Sequence, residues 1–220
     1  MKRKIAIILF AIIIIVCSAC VFVACNKNEE QQFADAISRI TREYYAGESE
    51  LFFVVIEKGE REKSFIADGK ATDVQAFCSL SITPLRTNDY EELNFVIAGE
   101  TATLSGSIKK SEYGEFVTDI QLDFVPISVT VTAGGESSEI ELANVLDGAL
   151  SAEDIINIAK TEFKETLDKE ELAGKEREIY VKIITGDRTT YYYYVSFIGD
   201  GVDYLAMLVD PKTGTIISKK

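Results

Sequence analysis

Apolar and polar side chains alternate along most of the segment between residues 51 and 142. In the stretch 101–108, small or apolar residues occupy one set of alternate positions, and threonines and serines occupy the other. Successive side chains of a β-strand point to opposite sides of the sheet, so this pattern predicts strands with one buried and one hydrated face. Turn sequences such as Gly134-Gly135 separate these strands at intervals of about ten residues. The pattern predicts an antiparallel β-sandwich, either immunoglobulin-like or arranged as an open half-barrel.

A helical periodicity precedes these strands. Phe33, Ile37, Ile40 and Tyr44 recur at spacings of four, three and four residues. This spacing places them on one face of an amphipathic helix over residues 33–45. Together with the strands, this helix predicts an N-terminal part of an α+β fold, which we assign to residues 33–148.

A second helix followed by strands is predicted near the C-terminus. Ser151 is a favourable N-cap residue, and Glu153 and Asp154 fall in the first turn, where acidic side chains stabilise a helix. The strands that follow are expected at residues 179–185, 191–198, 204–209 and 215–218. One helix on a small antiparallel sheet predicts a second α+β domain over residues 151–220.

This C-terminal segment resembles a PepSY domain. The resemblance is carried by Leu172-Ala173-Gly174 after the helix, by the paired strands, and by the pattern Asp-x-x-Thr-Gly at residues 210–214. In this family the last pattern forms a terminal hairpin, where glycine permits the positive φ of the turn. The resemblance implies an extracytoplasmic, non-catalytic module that interacts with other proteins or restrains a peptidase. It implies no catalytic residues.

The N-terminal residues have the pattern of an export signal. Three basic residues at positions 2–4 precede a run from Ile5 to Ala24 in which only Ser18 is polar. The stretch Val-Phe-Val-Ala-Cys at residues 21–25 resembles the lipobox of bacterial lipoproteins, in which a small residue precedes a cysteine that becomes lipidated. We therefore predict a lipoprotein signal peptide over residues 1–24 and lipidation of Cys25.

The predicted lipid anchor has consequences for location, and two alternatives stay open. Residues 25–32 turn abruptly polar and are expected to form a solvated tether. The protein would then lie at the extracytoplasmic face of the cell membrane. Cys20 is a rival lipid acceptor, and the apolar run is also long enough for an uncleaved transmembrane helix.

The absence of histidine restricts the chemistry of this chain. Without histidine it lacks the usual general base, the commonest metal ligand and any Ser-His or Cys-His pair. Its 23 basic and 36 acidic side chains give a net charge of −13, and removal of residues 1–24 would leave a net charge of −16. Nucleic-acid binding needs clustered Lys and Arg, so nucleic acid is not an expected partner. We expect no enzyme activity, no catalytic residues, no cofactor and no metal site.

Two further features concern single side chains. Cys78 lies on the apolar side of an alternating segment, which predicts a buried thiol that packs as a small hydrophobic group. In the run Tyr191–Tyr194, one alternate pair can pack under the helix while Tyr192 and Tyr194 face solvent or a partner. Tyr192 and Tyr194 are therefore the candidate binding surface, and ordinary cross-strand packing of the tyrosines is the alternative.

These features favour a surface-tethered binding or regulatory lipoprotein whose partner is an envelope protein, a peptide or a glycan. The alternative is a carrier of lipid or another small apolar ligand in a half-barrel cavity. A hydrolase that uses two carboxylates is the third interpretation. It has the least support because no catalytic motif accompanies the acidic residues.

Overall fold

The computed structural model of the protein describes residues 36–86, 89–200 and 203–220. The residues from Ser38 to Lys220 form one compact unit. The elements in chain order are β1 (Ile37–Glu48), β2 (Phe52–Glu62), β3 (Val74–Pro84), β4 (Glu92–Ala98), β5 (Thr103–Lys109), β6 (Phe116–Asp119), β7 (Ser128–Ala133), β8 (Glu136–Glu141), β9 (Ala143–Asn144), α1 (Ala152–Glu162), α2 (Lys164–Leu172), β10 (Glu178–Thr185), β11 (Tyr191–Ile198), β12 (Tyr204–Val209) and β13 (Ile216–Lys219). In the described ranges, no helix is both long enough and apolar enough to cross a membrane. The predicted signal peptide, Cys25 and the tether lie outside these ranges.

Most strands belong to one nine-stranded sheet. Its order is β13-β12-β11-β10-β1-β2-β3-β6, and β9 pairs with β1 beside this row. A second sheet has four strands in the order β5-β4-β7-β8. Strands joined by short turns, such as β4 with β5 and β7 with β8, pair antiparallel. The prediction of a β-rich, mainly antiparallel architecture is therefore confirmed.

The four-stranded sheet packs against β1, β2 and β3 of the large sheet. Tyr45 of β1 lies opposite Ile56 of β2, so their side chains share the face turned towards the second sheet. Both sheets contribute to the apolar core between them, mainly through Phe52, Val54, Ile56, Leu80, Ile82, Leu93, Phe95, Ile97, Val129 and Val131. Burial of each such side chain contributes roughly 1.5–3 kcal/mol to stability. This part of the protein is thus two sheets packed face to face.

Helix α1 covers the other end of the large sheet. The Ser151 hydroxyl accepts a hydrogen bond from the Asp154 N–H, and the Asp154 carboxylate accepts one from the Ser151 N–H. This capping box confirms the predicted helix start. The helix buries Ala152, Ile155, Ile156 and Ala159, whereas no residue of α2 is fully buried.

The large sheet contains strands from both sides of residue 150 in the sequence, because β1 is the neighbour of β10. The Ser38 hydroxyl donates to the Ile179 carbonyl oxygen (3.3 Å), and the Thr41 hydroxyl oxygen lies 3.4 Å from the Val181 carbonyl oxygen. Both contacts advance in the same direction along the chain, so β1 and β10 run parallel. The segment up to residue 148 and the segment from residue 151 therefore share one sheet.

The predicted helix over residues 33–45 is wrong for residues 37–45, which belong to β1. Residues 33–35 lie outside the described ranges. A β-bulge between Thr41 and Glu43 shifts the alternation of the strand by one residue. Buried residues therefore occur on both faces of β1, and the spacing between them matches the period of a helix.

Candidate binding face

One face of the nine-stranded sheet is turned away from both α1 and the four-stranded sheet, and we call it the open face. Tyr193 of β11 points towards the start of α1, where its hydroxyl donates to the Leu150 carbonyl oxygen. Leu80 of β3 points into the core between the sheets, so Phe77, three residues earlier, points to the opposite side. The Arg39 guanidinium contacts the rings of both Phe77 and Tyr180. These side chains from β3, β1 and β10 therefore lie on the same open face.

The four consecutive tyrosines of β11 divide between the two faces. Tyr193 is 2% exposed and packs beneath α1. Tyr191 lies near the edge, where its ring meets that of Tyr44 at 5.8 Å between centroids. Tyr192 and Tyr194 lie on the open face, opposite Ile184 and Lys182 of β10, and both are half-buried. The structure thus places the two predicted binding residues on a surface that neither the helices nor the second sheet covers.

Six side chains on the open face form a row in which cations and aromatic rings alternate, and we call this row the ladder. Its members are, in order, Arg61, Phe77, Arg39, Tyr180, Lys182 and Tyr194. The guanidinium carbon of Arg61 lies 4.6 Å from the Phe77 centroid, and that of Arg39 lies 4.9 Å from the same centroid. Lys182 Nζ lies 5.9 Å from the Tyr180 centroid and 5.7 Å from that of Tyr194. Each such contact contributes about 0.5–1 kcal/mol at a partly exposed position, so the ladder orders side chains across five strands.

The three cations of the ladder differ in how their charge is balanced. Arg39 Nη2 donates to the Glu57 carboxylate at 2.8 Å, and the Thr41 hydroxyl donates to the same carboxylate. Arg61 Nη2 donates to both oxygens of Asp119, at 2.7 and 2.6 Å. Within the described ranges, Lys182 forms no ion pair, and its ammonium group lies between two tyrosine rings. Lys182 is therefore the member of the ladder that can accept a carboxylate from another molecule.

An exposed apolar segment adjoins the ladder. Phe65, between β2 and β3, is 47% exposed, and its ring centroid lies 5.2 Å from that of Tyr180. The next residue, Ile66, is 64% exposed. Burial raises the pKa of the Tyr180 phenol, and the nearby Arg39 partly opposes this shift, so the phenol is neutral at pH 7. Exposed apolar side chains beside an ordered polar group are typical of an interaction surface.

Two buried carboxyl groups lie beneath the same segment. Glu178, at the start of β10, is 0% exposed, and Glu62, at the end of β2, is 4% exposed. The Thr72 N–H donates to Glu62, whereas neither oxygen of Glu178 has a hydrogen bond of normal geometry to the described residues. Burial raises the pKa of Glu178 to about 7, and the charges of Glu62 and Asp68 add to the shift. The Ser38 hydroxyl and the Gly69 N–H lie close enough to oppose it in part.

Metal-binding clusters and the single described cysteine are the next features of interest in the described residues. The described residues contain no group of three or more Cys, Asp or Glu side chains that could hold a metal ion. Cys78 is half-buried against the core, and burial raises the pKa of its thiol to about 11. A thiol that stays protonated at neutral pH is a poor nucleophile, so Cys78 serves mainly in packing. Its burial is less complete than the alternation predicts.

Sequence reasoning placed Tyr192 and Tyr194 on this face, but of the six members of the ladder it singled out only Tyr194. Tyr180 and Lys182 alternate with Ile179 and Val181, and this alternation within one short strand was a usable signal. Arg39 could not be found in that way, because its segment was interpreted as a helix.

The comparison with known proteins gives one result that bears on function. No curated protein and no solved structure matches this chain. The predicted resemblance of the C-terminal segment is confirmed, with slightly wider limits. Residues 149–220 match the family described as "Peptidase propeptide and YPEB domain", so the chain carries a PepSY domain that comprises α1, α2 and β10 to β13.

Proposed function

We propose that this chain is a lipid-anchored, extracytoplasmic protein that binds a protein or peptide partner through the open face and has no catalytic role. The observation that carries the proposal is the position of Lys182, which lies between Tyr180 and Tyr194 on a sheet face that neither α1 nor the four-stranded sheet covers. Lys182 has no carboxylate partner in the described ranges. The PepSY domain supports an extracytoplasmic binding or regulatory module. The lipobox-like residues 21–25 support the anchor.

The alternative, a carrier of lipid or another small apolar ligand, needs a cavity between the two sheets. The side chains that face each other there pack into a single apolar core. A core of this kind stabilises the fold by close packing, so the binding module is the better-supported function.

Site-specific crosslinking tests the binding role. A photoreactive phenylalanine analogue is introduced at Tyr194 on the open face, and at Tyr113 as the control, because Tyr113 is 85% exposed in the turn between β5 and β6. In intact cells we expect a discrete adduct from position 194 and none of the same mass from position 113. Identical adduct patterns from both positions, or none from position 194, would refute binding through this face.

Labelling with a radioactive fatty acid tests the anchor. The Cys25→Ser variant should lose the label and the Cys20→Ser variant should keep it, because only Cys25 is followed directly by a polar tether. The opposite result would assign the lipid to Cys20, and retention of label by the double variant Cys20→Ser/Cys25→Ser would exclude a lipobox anchor.

A further inference from the structure

We infer that the open face binds an acidic peptide segment, whose carboxylate pairs with Lys182 between the rings of Tyr180 and Tyr194. This inference rests on the proposed function, and it adds the chemistry of the partner. In the ladder, Arg39 and Arg61 already form ion pairs with Glu57 and Asp119, respectively.

The Lys182 ammonium group is positioned to pair with a carboxylate from another molecule. Its ammonium group lies 5.9 and 5.7 Å from two ring centroids, so the rings restrict its position without neutralising its charge. A charge-assisted hydrogen bond from an ammonium group to a carboxylate is about twice as strong as one between neutral groups. The methylene groups of a Glu side chain could lie against the same two rings, which would exclude water from the ion pair.

The neighbouring side chains favour an apolar residue beside the acidic one. Phe65 is exposed and its ring lies against that of Tyr180, so an apolar residue next to the acidic one could contact it. The ladder crosses β11, β10, β1, β2 and β3, which at about 4.8 Å per strand spans about 19 Å. An extended peptide advances about 3.3 Å per residue, so about six residues would cover this distance.

The net negative charge of the protein disfavours partners that carry many negative charges. With a net charge of −13, the chain would repel an anionic lipid surface or a polyphosphate. Among the described residues, Lys182 is the one cation of the ladder without an ion pair, so the ladder offers no cluster of free cations. A short peptide with a single carboxylate among apolar residues matches the ladder in both charge and hydrophobicity. A neutral glycan would use the rings and would have no need of the ammonium group.

Two matched fluorescent peptides test the inference on the full chain in mild detergent. The first peptide is fluorescein-Gly-Ser-Phe-Glu-Phe-Ser-Gly with an amidated C-terminus, and the second has Gln in place of Glu. By fluorescence anisotropy, we expect the Glu peptide to bind about fivefold more tightly than the Gln peptide, which corresponds to about 1 kcal/mol. This preference should shrink as the salt concentration rises from about 50 to about 500 mM, because the ion pair is partly exposed.

Two substitutions then localise the effect. Lys182→Met keeps the aliphatic stem, removes the charge, and should abolish the preference for the Glu peptide. Lys212→Met removes an exposed lysine from the turn between β12 and β13 and should leave the preference unchanged. Thermal unfolding of both variants verifies that they are folded.

The outcomes separate this inference from the proposed function. Equal affinity of the wild type for both peptides, or a preference that survives Lys182→Met, would overturn the acidic-peptide inference. If either of these results is obtained but the crosslink from position 194 still forms, the proposed binding function is supported and the partner has another chemistry. Tighter binding of chitohexaose than of the Glu peptide, lost in Tyr194→Ala and kept in Lys182→Met, would overturn the inference in favour of a glycan. If no peptide preference is found and no crosslink forms from position 194, the proposed function itself is refuted.

Discussion

The buried carboxyl group of Glu178 should make the stability of the fold depend on pH. Its side chain is 0% exposed, and burial, together with the charges of Glu62 and Asp68, raises its pKa from 4.5 to about 7. In the unfolded chain the same group ionises near pH 4.5. Between these two pKa values the folded state therefore binds a proton that the unfolded state has lost.

The sign and size of the effect follow from this difference. Because the folded state binds more protons, the free energy of unfolding decreases as the pH rises, and the contribution of Glu178 is lost once the pH exceeds about 7. One pKa unit corresponds to about 1.4 kcal/mol, so the complete contribution is about 3 kcal/mol. Between about pH 5.5 and about pH 8, about 2 kcal/mol of it should be lost.

Urea unfolding followed by far-ultraviolet circular dichroism measures this loss. The test variant is Glu178→Gln, which is similar in shape and cannot ionise. Relative to the wild type, it should gain about 2 kcal/mol of stability as the pH rises from about 5.5 to about 8. Comparison with the wild type cancels the titration of carboxylates that do not interact with Glu178.

A nearby exposed glutamate provides the control. Glu176 has a side chain that is 68% exposed, and its ion pair with Lys70 lies at the surface. The difference between Glu176→Gln and the wild type should stay constant over the same pH range, within about 0.5 kcal/mol. A constant difference for Glu178→Gln as well would show that the buried carboxyl is not protonated near neutral pH, and the reasoning would fail.

Two further predictions concern the helices of the PepSY domain. Ser151→Ala removes the capping box of α1 and should cost about 1 kcal/mol in urea unfolding, whereas Ser105→Ala on the exposed side of β5 should change stability by less than about 0.5 kcal/mol. Arg177 is 6% exposed and joins Glu170 of α2 to the connection between β11 and β12, so Arg177→Gln should cost about 3 kcal/mol because it leaves a mostly buried carboxylate unpaired. The exposed Arg188 supplies the comparison, since Arg188→Gln breaks only a surface ion pair and should cost less than about 1 kcal/mol. Equal losses for the two arginine variants would contradict this account.

The parts of the fold that sequence reasoning recovered are those determined by local interactions. Alternation identified the strands of the four-stranded sheet, because one face of each contributes to the core and the other meets water. The start of α1 followed from the capping chemistry of Ser151. Where one helix was predicted there are two, because Phe163 separates α1 from α2.

The parts that sequence reasoning could not recover depend on contacts between distant segments. β1 was mistaken for a helix because a bulge and neighbours on both sides remove the alternation that marks a half-buried strand. The ladder depends on the contact between Arg39 and Tyr180, which are separated by most of the chain. No local pattern specifies which strand becomes the neighbour of β10.

The pairing of β1 with β10 therefore does more than complete the sheet. It brings Arg61, Phe77 and Arg39 beside Tyr180, Lys182 and Tyr194, so half of the ladder comes from the PepSY domain and half from the preceding segment. Glu178 lies at the same junction, where Ser38 of β1 faces the start of β10. Ionisation of Glu178 would weaken the junction that aligns the two halves of the ladder. The open face is thus a property of the combined sheet, and the PepSY domain alone would carry only the tyrosine and lysine end of it.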